Sequence, residues 1–401
     1  MSGESAVPDW RRNLAAVTLA VFIGFAGFTL VMPFLPLYLE QLGLQGTSAI
    51  AIWSGMSLGV TPAVTAAMAP LWARVADRLG RKLMVARSLI SFVVIMAAMG
   101  FVRAPWQVFA LRAVQGLFAG YGPIAMTMAA ESAPPEHMAS AIGWVQTAQR
   151  LGPAIGPIVG GTLAQAVGLR EAFVFAAGCY FLAFVLVVVG YREPREHRAQ
   201  PAGTAGVTFA TFRLVPHFVL FMGTIFGLQL VDRSLGPVLP LYLREIGMAT
   251  GRVPVLSGLI FTAVAGAAAV GNQLSGWLIG RFRPGRLVPA SAAMAGCAAT
   301  VFGLAPPLAV LIASALVLGF FIGVATTAIY TAAGRAVDPG VRGLAFGYLT
   351  MAYLVGLAVS PIVAGLVGSI SVRVVFFLDG AGLGAVALIV WSRMARPVAV
   401  R

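Results

Sequence analysis

Charge is scarce in this chain of 401 residues: Asp, Glu, Lys and Arg make up 10% of it, where soluble domains carry about 25%. There are thirteen acidic residues, three histidines, two cysteines and a single lysine, Lys82. With 59% of the residues hydrophobic, two or three soluble cores could not hide the apolar surface, and the soluble classes are excluded. Cys179 and Cys297 both lie inside apolar runs; they exclude a disulfide framework and read as buried free thiols. His137, His197 and His217 fall in loops or at the edge of an apolar run, so no histidine proton relay is built here. No paired His/Cys cluster suggests a metal, and no HExxH, GxSxG or Walker A pattern appears, which argues against an intramembrane enzyme. The formal net charge of +14 invites a nucleic-acid reading. It fails on distribution, because 26 of the 27 basic residues are Arg, set singly or in small groups between long apolar runs. What remains is an all-α, polytopic membrane protein.

A helix needs about 20 mostly apolar residues to cross the hydrocarbon core. Cutting at charged or Pro/Gly-rich breaks gives twelve spans, near 14–39, 50–73, 83–102, 106–131, 138–166, 171–191, 214–243, 254–280, 287–304, 307–334, 343–369 and 372–393. The first has no small-residue cleavage site and runs too long for a signal-peptide core, so it reads as an uncleaved helix. Nineteen basic residues lie on the side of the N-terminus and five on the other, with Arg112, Arg150 and Arg233 inside spans. The positive-inside rule then places both termini in the cytoplasm and the chain in the cytoplasmic (inner) membrane. The partner this predicts is the lipid bilayer, with no nucleic acid.

The chain repeats itself at an offset of 203–204 residues. Pro33-Phe-Leu-Pro36-Leu-Tyr38-Leu-Glu-Gln-Leu-Gly43 returns as Pro237-Val-Leu-Pro240-Leu-Tyr242-Leu-Arg-Glu-Ile-Gly247, seven identities in eleven. Ser54-Gly55 returns as Ser257-Gly258, Ala141-Ile-Gly143-Trp144 as Ala345-Phe-Gly347-Tyr348, and Pro157-Ile-Val-Gly-Gly161 as Pro361-Ile-Val-Ala-Gly365. Six spans per copy is an even number, so both copies enter the membrane in the same sense. The predicted architecture is two parallel six-helix bundles, 1–191 and 214–401, joined by a polar cytoplasmic linker at 192–213. Two such bundles can rock about a site near the midplane, which is alternating access.

Between spans two and three stands Asp77-Arg78-Leu-Gly80-Arg81-Lys82. Gly80 permits a tight turn, and the Arg/Lys cluster suits an anionic cytoplasmic surface. The segment resembles the G-x-L-A-D-R-x-G-R-K loop of the major facilitator superfamily, with Ala73 where the family has its first Gly. Leu111-Arg112-Ala-Val-Gln115-Gly116 in span four is similar to the family's L-R-x-x-Q-G motif. Gly152-Pro153-Ala-Ile-Gly156-Pro157-Ile-Val-Gly160-Gly161 in span five matches G-x-x-x-G-P-x-x-G-G, associated with the family's twelve-helix drug:proton antiporters. The opening of the chain looks like one multidrug-resistance group among them. The resemblance covers essentially the whole chain and implies a multidrug exporter driven by proton antiport, with a small-molecule substrate and protons as partners, no cofactor beyond the proton gradient, and a chain functional as a monomer. It implies a conformational latch of Asp77, Arg78, Gly80, Arg81 and Lys82, supported by Glu131, and a part in proton coupling for Arg112, with Glu131 a further coupling candidate. The span-five residues Gly152, Gly156, Pro157, Gly160 and Gly161 read as shaping an interface.

Two features of this sequence depart from the pattern. Relatives often carry an acid in the first helix, yet no acid lies between Arg12 and Glu40. The remaining intramembrane acids are Asp232 in span seven and Asp379 in span twelve. Asp232, near mid-span, is the candidate proton carrier, with a fixed ion pair as the structural alternative. Neighbours on a helix point about 100° apart, so Asp232 and Arg233 are expected to find separate partners. The family resemblance places Asp379 on a peripheral helix, where it is expected to be structural. The candidate cavity residues are Arg150, Arg233, Gln146, Gln115, Phe25, Phe28 and Met126; three intramembrane arginines against two acids lean towards neutral, zwitterionic or anionic substrates. The competing reading is a carrier for a specific organic anion or metabolite. A receptor is disfavoured, since a duplicated set of six spans has no use in a seven-helix protein.

Overall fold

The computed structural model describes residues 10–134, 137–193, 217–337 and 342–394, without the side chains of 69, 70, 73, 74, 76–78, 139 and 342–344. It is helical throughout these residues, and the helices account for all twelve spans. Span one is Trp10–Val31 continued through a 3-10 turn, Met32–Phe34, into Leu35–Gln41. Spans two and three are Thr47–Leu79 and Arg81–Phe101. Span four is Pro105–Phe118 plus Tyr121–Ser132, span five Met138–Ala166, and span six Leu169–Val185 extended by a wider turn, Leu186–Gly190. Span seven is Phe218–Asp232 plus Leu235–Glu245. Spans eight to twelve are Val253–Arg281, Pro284–Gly303, Leu308–Ala336, Arg342–Gly368 and Val372–Met394. Ten of the twelve are apolar enough and long enough to cross a membrane on composition alone. Span four falls short because it is broken into two helices. Span five does so because Gln146, Gln149 and Arg150 dilute it.

The break in span four follows from Gly120, whose φ of +107° no side chain tolerates easily. Carbonyls left without helical partners inside a bilayer need other donors. Trp72 Nε1 donates to the Leu117 carbonyl at 2.6 Å and Arg87 Nη2 to that of Phe118 at 3.4 Å. The Arg87 guanidinium lies over the Trp72 ring, 3.5 Å from its centre.

The repeat is visible in packing. In the first half, Gly152, Gly156 and Gly160 turn one face of span five onto the backbone of span one; a Cβ on Gly152 would stand 2.8 Å from the Phe22 carbonyl oxygen. In the second half Gly356 of span eleven, 204 residues on from Gly152, lies in the same way on Phe226 and Gln229 of span seven. Small residues at a spacing of four let backbones approach closely where lipid supplies no hydrophobic drive between helices.

The two free cysteines differ from expectation. Cys179 is half-buried, but Cys297 is exposed. It faces outward between spans nine and ten, where apolar surroundings are lipid rather than core.

Candidate functional site

The chain enters and leaves the described structure on one face, called here the terminal face. The two halves meet toward the opposite one. There span two packs on span eleven: a Cβ on Gly55 would stand 3.0 Å from Gly365 Cα. Span five packs on span eight: a Cβ on Gly161 would stand 2.6 Å from the Pro254 carbonyl oxygen, and Gly258 abuts Pro157. Gly55 and Gly258 are equivalent in the repeat, as are Gly161 and Gly365. The two seals are therefore one contact made twice about a pseudo-twofold axis. The second-half copy of the span-five motif, although degenerate in sequence, makes the same contact.

On that axis lies an ion pair. Arg244 Nη1 bonds to Glu40 Oε2, joining the ends of spans one and seven on the closed face. Glu40 and Arg244 are 204 residues apart, the offset of the repeat, so one ancestral position faces itself with opposite charges. Both side chains are part-exposed, 28% for Arg244 and 39% for Glu40, and screening holds such a pair to about 1 kcal/mol or less. Glu40→Arg sets two arginines against each other there. The closed-to-open ratio is expected to fall by about 5–30-fold, the equivalent of one to two kcal/mol. The exchange Glu40→Arg with Arg244→Glu should restore it. Distances between spin labels at the two loop ends measure this, and a single Glu40→Arg variant indistinguishable from wild type would remove the pair from the closure.

Toward the terminal face the same helical stripes part. Arg150 stands one heptad before Pro157, on the stripe that seals against span eight, yet it is exposed, as is Gln146 one turn earlier. Met351 of span eleven, a heptad before Ala358, is 57% exposed. These side chains border a cleft open to the terminal face and closed at the other. Arg150 has no acidic partner among the described residues. Phe25 and Met126 are half-buried on its first-half wall; Phe25 tilts against Tyr121 with ring centres 5.5 Å apart.

At mid-depth the cleft meets the break in span seven. Asp232 ends one helix and Leu235 begins the next. Asp232 Oδ2 lies 3.1 Å from Arg233 Nε, so the two pair with each other instead of finding separate partners. The expectation rested on an unbroken helix; at the break, regular 100° spacing lapses and the long guanidinium folds back. Arg233 also meets the Tyr353 hydroxyl of span eleven. Asp379 is not remote either: Ser234 Oγ lies 2.5 Å from its Oδ2.

Arg112 and Gln115 lie elsewhere. Arg112 is 1% exposed and Gln115 fully buried, so Gln115 does not border the cleft. Arg112 Nη1 donates to Gln115 Oε1 at 2.7 Å and its Nε to the Ser57 carbonyl at 3.1 Å. The Phe28 ring stands 5.5 Å from the guanidinium carbon. No carboxylate pairs with Arg112 among the described residues.

On the terminal face, Gly80 turns the chain with φ +91°. Glu193 Oε1 then accepts the Arg81 backbone N–H at 2.8 Å, an acid at a helix N-terminus. Arg81 pairs with Glu131. Lys82 Nζ donates to the carbonyls of Val188 and Tyr191 at 2.8 and 2.7 Å, where a cation meets the end of a helix. Both basic groups are thus occupied inside the first half, not offered to lipid headgroups, because unpaired carbonyls and acids stand within their reach. The side chains of Asp77 and Arg78 lie outside the described residues, as does all of the 192–213 linker after Glu193. The opposed charges at Glu40 and Arg244 were a sequence signal, readable from the repeat alignment. The Glu193 cap had none, since nothing local links residue 193 to residue 81. Among the described residues, no group of three His, Cys, Asp or Glu could hold a metal.

A family model described as Major Facilitator Superfamily matches residues 17–308 and 221–401. The chain is 38% identical over 269 residues to "Multidrug resistance protein MdtG" of Dickeya zeae, 67% of this chain and 65% of that one. It is 34% identical over 293 residues to the protein of the same name from Enterobacter lignolyticus, covering 73% and 70%. Among solved structures it resembles a bacterial homologue of the human lysosomal transporter Spinster in an inward-facing, occupied conformation. The TM-score is 0.80 at 17% identity, over 95% of this chain and 97% of that one. A D-xylose-proton symporter gives 0.77 at 14% identity, covering 96% and 97%.

Proposed function

The chain belongs to the major facilitator superfamily, and we propose that it is a multidrug exporter exchanging amphipathic compounds for protons by alternating access. The cleft carries this reading: it opens to one face and is closed at the other by two equivalent backbone contacts, an arrangement that can be made and unmade as a unit. With nineteen basic residues on the side of the termini against five, the open side is the cytoplasmic one, and the state is loaded from within. The bundles 1–191 and 214–401 move as bodies about the linker, and a single chain suffices. Arg81, Lys82, Glu131 and Gly80, with Asp77 and Arg78, form the latch region on the open side.

Coupling is assigned to Asp232. Its carboxylate is satisfied by Arg233, and either a proton or a cationic group on the substrate can take the guanidinium's place. Two ligands that compete for one carboxylate must be exchanged, not carried together, which is antiport. A second reading has its own observation in Arg150 and Arg233, which give the cleft walls an excess of positive charge. An organic anion would bind Arg233 once Asp232 is protonated, and anion and proton would then travel in the same direction.

Proteoliposomes loaded with rhodamine 6G or carboxyfluorescein separate the two. Antiport predicts dye flux against an imposed proton gradient, lost in Asp232→Asn by at least about tenfold, the scale of one unit in log rate. Flux indifferent to the gradient would sink proton coupling. Anion flux running with the proton would establish the second reading.

A further inference from the structure

Asp379 lies seven residues inside span twelve, about 10 Å below the helix end. Ionisable groups at such depth are rare and costly unless paired. Its one recorded hydrogen bond is to Ser234, itself 2% exposed, and no cation pairs with it among the described residues. The surrounding elements account for their own charges. In span seven, Asp232 and Arg233 occupy each other, and in span twelve Arg373 is bound to Glu245. Span nine packs on span twelve through Gly296, Thr300 and Gly303; its charge, Arg286, lies at the far end, and Cys297 lines the outward groove beside span ten. Span eleven brings Tyr353, which is engaged with Arg233.

Ser234 carries one hydroxyl proton and has two acceptors within reach: Asp379 Oδ2 at 2.5 Å and the Val231 carbonyl at 2.8 Å. Only one can be served at a time. We propose that Asp379 is a proton-binding site whose occupancy switches the hydroxyl of Ser234 between the carboxylate and the broken end of span seven. When Asp379 is ionised, Ser234 donates to it. When a proton binds, the acid's O–H becomes the donor to Ser234 Oγ, and the serine proton passes to the Val231 carbonyl. No proton is lost: one arrives from solvent and one hydroxyl rotates. The carbonyl so engaged is one residue from Asp232, so the change is delivered to the hinge that presents the Asp232–Arg233 pair to the cleft. The use of this switch rests on the proton-coupled reading above; the binding of the proton does not.

Two measurements test it. Infrared difference spectra of the purified full-length protein, taken across a pH titration, should contain a protonated-carboxyl band that is absent in Asp379→Asn. In Ser234→Ala, which keeps the acid, the band should shift in frequency because its hydrogen-bond partner is gone. In proteoliposomes, the ratio of rhodamine 6G flux with a proton gradient to flux without one should fall toward unity in Asp379→Asn. A band unaltered in Asp379→Asn overturns the proton site; where wild type responds to the gradient, a wild-type ratio in that variant overturns the switch's part in coupling. Should Asp379→Asn fail to fold, an unshifted band in Ser234→Ala overturns it alone. If wild type itself shows no gradient dependence while the Asp379 band titrates, the antiport reading fails and the proton site stands.

Discussion

Gly258→Leu is expected to abolish closure of the face opposite the termini while leaving the fold intact. The substituted side chain would project onto the Pro157 carbonyl and Ile158, and backbone does not yield as a flexible side chain would. Overpacking of this kind costs about 3 kcal/mol or more. The penalty falls on the closed state alone, since spans five and eight must part there when the cleft opens to that side. The ratio of closed to open should drop by about 150-fold, and transport should stall with the protein held open. Gly160→Leu is the control: it would drive the same bulk into the Leu30 backbone within one half, a contact present in both states. That variant should lower the unfolding temperature without moving the conformational ratio. Cysteine accessibility at the two faces, with a thermal melt of each variant, distinguishes the outcomes. Normal closure in Gly258→Leu would remove the backbone seal from the mechanism.

Arg112→Met should cost transport and not stability. The guanidinium is buried and has no anion to offset its removal from water; its donors meet only Gln115 and a carbonyl. Even a buried ion pair replaced whole by apolar side chains of similar volume often leaves stability unchanged or raises it by about 1–4 kcal/mol, and Arg112 has no counter-ion to leave stranded. If Arg112 serves coupling, flux should fall at least about tenfold while the melting temperature holds or rises. If it is only a hub for spans two and four, the melting temperature falls first. A variant with full flux and lowered stability would assign Arg112 to architecture.

Much of this was legible in the chain. Apolar runs gave all twelve spans, because a bilayer imposes length and composition on every helix that crosses it. The repeat gave the parallel halves, and Gly152, Gly156 and Gly160 announced a close helix contact whose partner, span one, only the fold could name. The breaks were harder. Gly120 is one glycine among 47, and nothing around it marks it as one of those that take a positive φ. The interruption at Arg233-Ser234 falls one turn before Gly236-Pro237, whose ring has no N–H to offer the Arg233 carbonyl; what the sequence did not show is that Asp232, Arg233 and Asp379 find hydrogen-bond partners across three spans there. At that break a helical-wheel argument misplaced Asp232 relative to Arg233. Gln115 was misread likewise, since a polar side chain in a span can be spent on a buried arginine as readily as on a cleft.

The Glu40–Arg244 bond also bears on ancestry. A residue that touches its own repeat equivalent sits where the twofold axis passes. Two copies of the first half, assembled as a homodimer, would bring Glu40 against Glu40; two of the second would bring Arg244 against Arg244. Each half at that spot repels its twin and attracts only its sibling. The fused gene has thus acquired an address label that a symmetric dimer could never have carried, and the halves are no longer interchangeable.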